Sequence, residues 1–296
     1  MSSDDRYYSE KQKAERTRDQ ETVGHPFWGG FVAIVRARLA DGSLAEDFPV
    51  NCFEAPYPTE CDEEGLGLAF RAENPSIPWP LDPNNVPDTL DALDAIEFFA
   101  SHMSKPEARS HHSYGRHDHI HSFDRAAGFA DYVATINRLF RRCSHPYDLQ
   151  SDGRVQRLGP PVIREVLGTI RFETGDSELD RLLSVAREKF NDPDPDVRAE
   201  ALEKLWDAWE RLKTIFPGDK KASVTRLLDE AVEESNLRAK VEEEAIALTH
   251  IGNNFMIRHT ETGKPKIERS EHVDYLFHRL FALIWMILRI RGGIGT

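Results

Sequence analysis

Beyond a Gly159-Pro160-Pro161 break the chain carries five successive apolar stripes at helical spacing, and nothing else narrows its possible folds so far. The spacing predicts helices over residues 177–190, 196–216, 223–234, 236 to about 260, and 272–290. In the second of these Ala201, Leu205, Trp209, Leu212 and Ile215 share one side, which gives the helix an apolar face to bury. Residues 160–296 therefore read as a helical bundle and residues 1–159 as a separate unit. At about 150 residues per domain, a chain of 296 residues accommodates two.

The upstream unit is less regular. Helices are predicted over residues 27–40, 89–103 and 125–142, with Leu90, Leu93, Ile96, Phe98 and Phe99 as core candidates in the second. Residues 47–88 are rich in Pro, Asn and Gly and read as ordered irregular structure with one short strand at 66–70. Residues 147–158 alternate apolar and polar around Asp152-Gly153, a hairpin pattern. The first 22 residues are almost wholly polar and read either as a solvated helix or as an arm that orders on contact. The expected fold class is mainly α: an irregular, α-rich N-terminal unit with a short β-hairpin, then a C-terminal helical bundle.

Acidic residues outnumber basic ones by 51 to 38, a formal net charge of −13. That argues against a surface basic throughout, though a local basic groove is compatible with it. Three scattered cysteines argue against a disulfide framework and for a reducing compartment. The greasiest run, LFALIWMILRI at 280–290, is about half a membrane span. It carries Arg289, so it reads as a buried helix, and a cytoplasmic protein is expected. There is no GxxxxGK, GxGxxG or GxSxG string, which disfavours NTP hydrolysis and serine-hydrolase chemistry.

The chemistry-bearing segment is LTHIGNNFMIRHTETGK, residues 248–264. On a helix, Leu248, Ile251, Gly252, Phe255 and His259 share one face, and His250, Asn254, Arg258 and Glu261 form a stripe beside it. An Arg beside a His suits RNA cleavage, the imidazole moving a proton and the guanidinium holding the phosphate. The competing reading packs His259 in the core and pairs Arg258 with Glu261.

GNNFMIRHTETGK, the downstream HVDYLFHRLFALI, and the upstream LEKLWDAWERLKT with Lys220-Lys221 together resemble the C-terminal end of abortive-infection proteins of the AbiJ type, over about residues 196–290. That resemblance implies an antiphage effector with a HEPN-like bundle, a fold that often dimerises and cleaves RNA without metal to leave a 2′,3′-cyclic phosphate. The usual HEPN motif separates its Arg and His by four to six residues. Here Arg258 and His259 are adjacent, and Asn254 stands five before His259. Either Asn254 with His259 is a degenerate form of the motif, or Arg258 has taken the Arg role, with His250 beside them. The alternative is a non-catalytic HEPN-like module for dimerisation or for binding nucleic acid or protein. The partners implied are RNA, a second copy of the chain, and a phage-derived or co-encoded trigger; no membrane and no cofactor is implied. HSYGRHDHIHSF, Gly128, INRLF and YDLQSDGRV, over residues 110–158, resemble a module that precedes such domains in other defence-associated bacterial proteins, with no reaction attached.

Residues 110–123 hold five histidines. On an extended segment His117, His119 and His121 would face one way, and His112, Asp118 or Cys143 could complete a zinc site. No recognised ligand spacing accompanies them, so a packing and hydrogen-bond role is preferred and no metal is expected. Cys52 and Cys61, nine apart with no second pair, do not make a zinc knuckle. Trp206 and Trp209 could stack bases, but core packing is the favoured reading. Finally, residues 272–290 are apolar nearly all round, which predicts burial against a second copy.

Overall fold

The computed structural model describes residues 17–158, 170–255, 257 and 263–295. The chain is mainly helical and divides into two compact units, Met1–Arg157 and Leu158–Thr296. The Gly159-Pro160-Pro161 break lies outside the described residues.

Among the described residues of the N-terminal unit, four helices, α1 (His25–Ala40), α2 (Glu63–Glu73), α3 (Thr89–His102) and α4 (Arg125–Arg142), enclose an aromatic core. Phe27 stacks on Phe140 at 4.8 Å between ring centroids, and Phe70 on Phe99 at 5.5 Å. Short antiparallel pairs decorate this core: β1 (Pro49–Asn51) with β2 (Pro58–Cys61), β3 (Lys105–Pro106) with β6 (Phe123–Asp124), β4 (Arg109–His112) with β5 (His117–Ile120), and β7 (Tyr147–Leu149) with β8 (Val155–Arg157).

Two expectations are corrected here. The strand expected at residues 66–70 is part of α2. The Asp62 carboxylate accepts the Gly65 N–H at 3.0 Å and caps the helix, while Leu66, Gly67 and Phe70 fall on one buried helical face that a strand would have split. Leu90 is 42% exposed, because it sits in the first turn of α3, outside the core that Leu93, Ile96, Phe98 and Phe99 enter.

Residues 17–20, the first described, are not a helix. Arg18 donates to the His145 carbonyl at 2.7 Å and to Asp148 at 2.9 Å, and the Tyr147 hydroxyl donates to the Glu21 carbonyl at 2.8 Å. The end of the polar arm is thus ordered by contact with the β7–β8 hairpin.

The C-terminal unit packs α5 (Ser177–Phe190), α6 (Pro195–Leu212), α7 (Lys220–Ala231), α8 (Ser235–Asn254) and α9 (Ser270–Ile290) around one core. A two-residue antiparallel pair, β9 (Arg171–Phe172) with β10 (Ile294–Gly295), joins its ends. Asp176, Asp194 and Asp219 each cap the helix that follows, which is why three helices start where they do. Phe190 stacks face to face on Phe277 at 3.9 Å. On α9, Leu276, Phe277, Leu280, Phe281, Leu283, Ile284 and Ile287 are all buried within the unit. Trp285, on the same helix, is only partly buried, and Tyr275 and Ile290 are 58% and 56% exposed.

Candidate functional site

Each unit presents one candidate. In the C-terminal unit it is the end of α8, which is clamped on one side and open on the other. Gly252 lies against Trp206, whose Nε1 would stand 2.1 Å from a Cβ placed there. Trp206 Nε1 donates to the Leu248 carbonyl at 3.3 Å, and Trp209 Nε1 donates to Thr249 Oγ1 at 3.2 Å. Both tryptophans are buried core residues, which removes them from base stacking. Lys213 Nζ, buried behind the helix, donates to Glu210 at 2.5 Å and Thr249 at 3.2 Å; burial lowers its pKa against the pull of Glu210. Arg279 of α9 grips Glu244 with two hydrogen bonds of 2.6 and 2.7 Å.

His250 and Asn254 stand one turn apart and exposed, the Asn254 amide donating to the His250 carbonyl at 2.8 Å. The helix expected to reach residue 260 ends at Asn254. Phe255 is extended, with φ −107° and ψ 155°, and 39% exposed, while Ile257 turns back into the core at 3% exposure. The helical alignment expected to carry the stripe on to Arg258, and the apolar face on to His259, therefore stops one turn short. Two consecutive asparagines, weak helix formers, end the helix here. Arg258, His259 and Glu261 lie outside the described residues.

The N-terminal candidate is built on the β4–β5 hairpin. Its register sets His112 opposite His117 and Ser110 opposite His119, so His112, His117 and His119 share one face. His111 and Asp118 point to the other face, where they pair at 2.9 Å. Cys52 follows β1 and is held by its N–H to the Tyr57 carbonyl at 2.9 Å. The sulfur of Cys52 and one nitrogen each from His112, His117 and His119 all lie within 4.8 Å of one another. His112 Nδ1 is 3.6 Å from the sulfur and 3.3 Å from His117 Nε2. His119, 8% exposed, has a buried Nε2 with no hydrogen-bond partner. Burial, and then the neighbouring His112, His117 and His121, hold its pKa below the ordinary histidine value, which favours the neutral ring.

Of the ligands weighed from sequence, His112, His117 and His119 converge, and three others do not. Asp118 faces away, His121 meets Ser110 Oγ at 2.6 Å beyond the end of β5, and Cys143 closes α4 against the core. The residue that local reading discarded is Cys52. Its partners lie 60 positions or more downstream, so no short motif could announce it.

No protein-family model, no curated protein and no solved structure matches this chain. Among the described residues no helix is long and apolar enough to cross a membrane.

Proposed function

We propose that this chain is a cytoplasmic antiphage effector of the abortive-infection kind whose C-terminal bundle cleaves RNA at the end of α8. The supporting observation is the exposed His250 and Asn254 at the tip of a helix whose opposite side is locked to Trp206, with Arg258 and His259 four and five residues beyond Asn254 along the chain. A clamped helix that ends in solvent with polar side chains is a suitable platform for a phosphodiester. In this reading His259 takes the proton from the ribose 2′-hydroxyl, the oxygen attacks the adjacent phosphorus, and the P–O5′ bond breaks to give a 2′,3′-cyclic phosphate and a 5′-hydroxyl, whose proton comes from water while His259 returns its own to solvent. Arg258 or Asn254 holds the phosphate as its charge grows. RNA, a second copy and a phage-derived or co-encoded trigger are the partners of the same proposal.

The test is expression in cells and incubation of the purified chain with RNA. His259→Ala should relieve toxicity and slow cleavage by about 10²–10⁴-fold while leaving the circular dichroism spectrum unchanged. A wild-type chain that neither arrests growth nor cuts RNA removes the enzyme reading. The second reading, a non-catalytic module that binds RNA or protein, is favoured by the Asn254 amide, which already spends a donor on the His250 carbonyl. Wild-type binding to RNA with no cut product would establish that reading instead.

A further inference from the structure

We infer that Cys52, His112, His117 and His119 bind one Zn2+ ion as a closed four-ligand site that ties the β1–β2 turn to the β4–β5 hairpin. This stands independently of the reading of the C-terminal unit.

Distance is the first argument. Around tetrahedral zinc, with bonds of about 2.0–2.1 Å to nitrogen and 2.3 Å to sulfur, two nitrogens lie about 3.3–3.4 Å apart and a nitrogen and a sulfur about 3.6 Å. Two of the separations match these values, 3.3 Å between His112 Nδ1 and His117 Nε2 and 3.6 Å between His112 Nδ1 and Cys52 Sγ, and all four ligand atoms lie within 4.8 Å of one another.

The second argument is the polar atom left over. A buried ring nitrogen without a partner is costly, and His119 Nε2 is one. His119 also offers the cluster one of its ring nitrogens, and a metal ion there would take that nitrogen's lone pair.

Third, the surroundings orient the donors. His112 turns Nδ1 to the cluster and Nε2 to a Glu54 carboxylate oxygen 3.0 Å away, the carboxylate–histidine arrangement that orients metal-binding imidazoles. The Glu54 backbone N–H points at Cys52 Sγ from 3.4 Å, setting a positive dipole end against the sulfur. In the hairpin turn, a Cβ at Gly115 would lie 2.4 Å from His117 Cε1 and 2.9 Å from His112 Nδ1, so only glycine lets the two rings converge.

The donor set names the ion. Three imidazoles and a thiolate are poor ligands for Mg2+ or Ca2+ and suit zinc, and four protein ligands complete its tetrahedron. Such a site is structural. Strands of three and four residues make marginal hairpins by themselves, and a metal bond across a 60-residue separation would hold these two together.

The test uses the full chain without a histidine tag. Metal analysis should give one zinc per chain. After exchange into Co2+, the spectrum should show d–d bands of tetrahedral intensity and a thiolate-to-cobalt charge-transfer band, both displaced by Zn2+ and unmoved by azide. Cys52→Ser should abolish the charge-transfer band, Glu54→Gln should weaken zinc binding by about 10–100-fold, and His111→Ala should change nothing. A wild-type chain that takes up no Co2+, or shows only weak octahedral bands, overturns the site, and this result needs no variant to fold. Azide-induced spectral change would show an open coordination position and overturn the closed, structural role.

Discussion

His117 Nε2 stands 3.3 Å from His112 Nδ1 across a hairpin whose register sets the two residues directly opposite one another. The pairing matters because a slip of one residue would send His117 and His119 to the face now held by His111 and Asp118. Everything the cluster can bind depends on that register and on the turn that closes it.

The turn gives the first prediction. Gly115→Ala removes no ligand residue but forces a Cβ against the His117 ring, which must shift. Zinc affinity, measured by competition with a chromophoric chelator, should fall by about 10–100-fold, as for other changes that misorient a metal-bound histidine. Unchanged affinity would mean that the convergence of the two rings does not set binding.

Metal removal should act locally. With a strong chelator, amide hydrogen exchange should accelerate at residues 49–61 and 109–120, while α5–α9 keep their protection. The proposed RNA cleavage uses His259 and Arg258 and no metal, so its chemical step should survive chelation. Uniform loss of protection through the C-terminal unit would contradict this.

Acid sensitivity should centre on Asp176 and Glu210. Asp176 is held below its ordinary pKa by the Arg211 guanidinium and by the N–H groups of Leu179 and Glu178 at the start of α5. The Glu210 pKa is also lowered: burial pulls it upward, but the hydrogen bonds and charges of Lys213 and Lys220 outweigh that. A carboxylate whose pKa is lower folded than unfolded adds stability above the unfolded value, and that stability is lost as pH falls through the folded one. Asp176→Ala should therefore cost about 1 kcal/mol near pH 7. The gap between variant and wild type should begin to narrow below about pH 4, the unfolded value, and go on narrowing as pH falls through the lowered folded one. Denaturant melts from pH 7 down into the acid range check this; a gap that does not narrow at all as pH falls below the ordinary carboxylate range would exclude the ionised cap as its source.

Gly252→Val should displace α8 from Trp206, since even a Cβ would lie 2.1 Å from the indole nitrogen. Overpacking of this kind costs about 1–3 kcal/mol. Thermal melting should show a lower Tm together with a shift in tryptophan fluorescence. If the end of α8 is the RNA site, cleavage should fall in the same variant even at temperatures where it stays folded.

Most helices were legible in the linear order of residues. The 3.6-residue apolar period marks α3 to α7 and α9 within a few residues of their ends, and Asp152-Gly153 marks the β7–β8 hairpin. These signals are local, because each helix or tight turn is formed by neighbours in sequence. Periodicity says which face is apolar but not what covers it. That most apolar residues of α9 pack into its own unit's core, that α8 ends at Asn254, and that residues 66–70 continue a capped helix were decided by packing and hydrogen bonds. The histidine cluster shows the division most clearly. Sequence set His117 and His119 on one side of an extended segment. Cys52 joined them only when the β1–β2 turn folded against the β4–β5 hairpin, because which two distant surfaces meet is settled by the core beneath them and not by spacing along the chain.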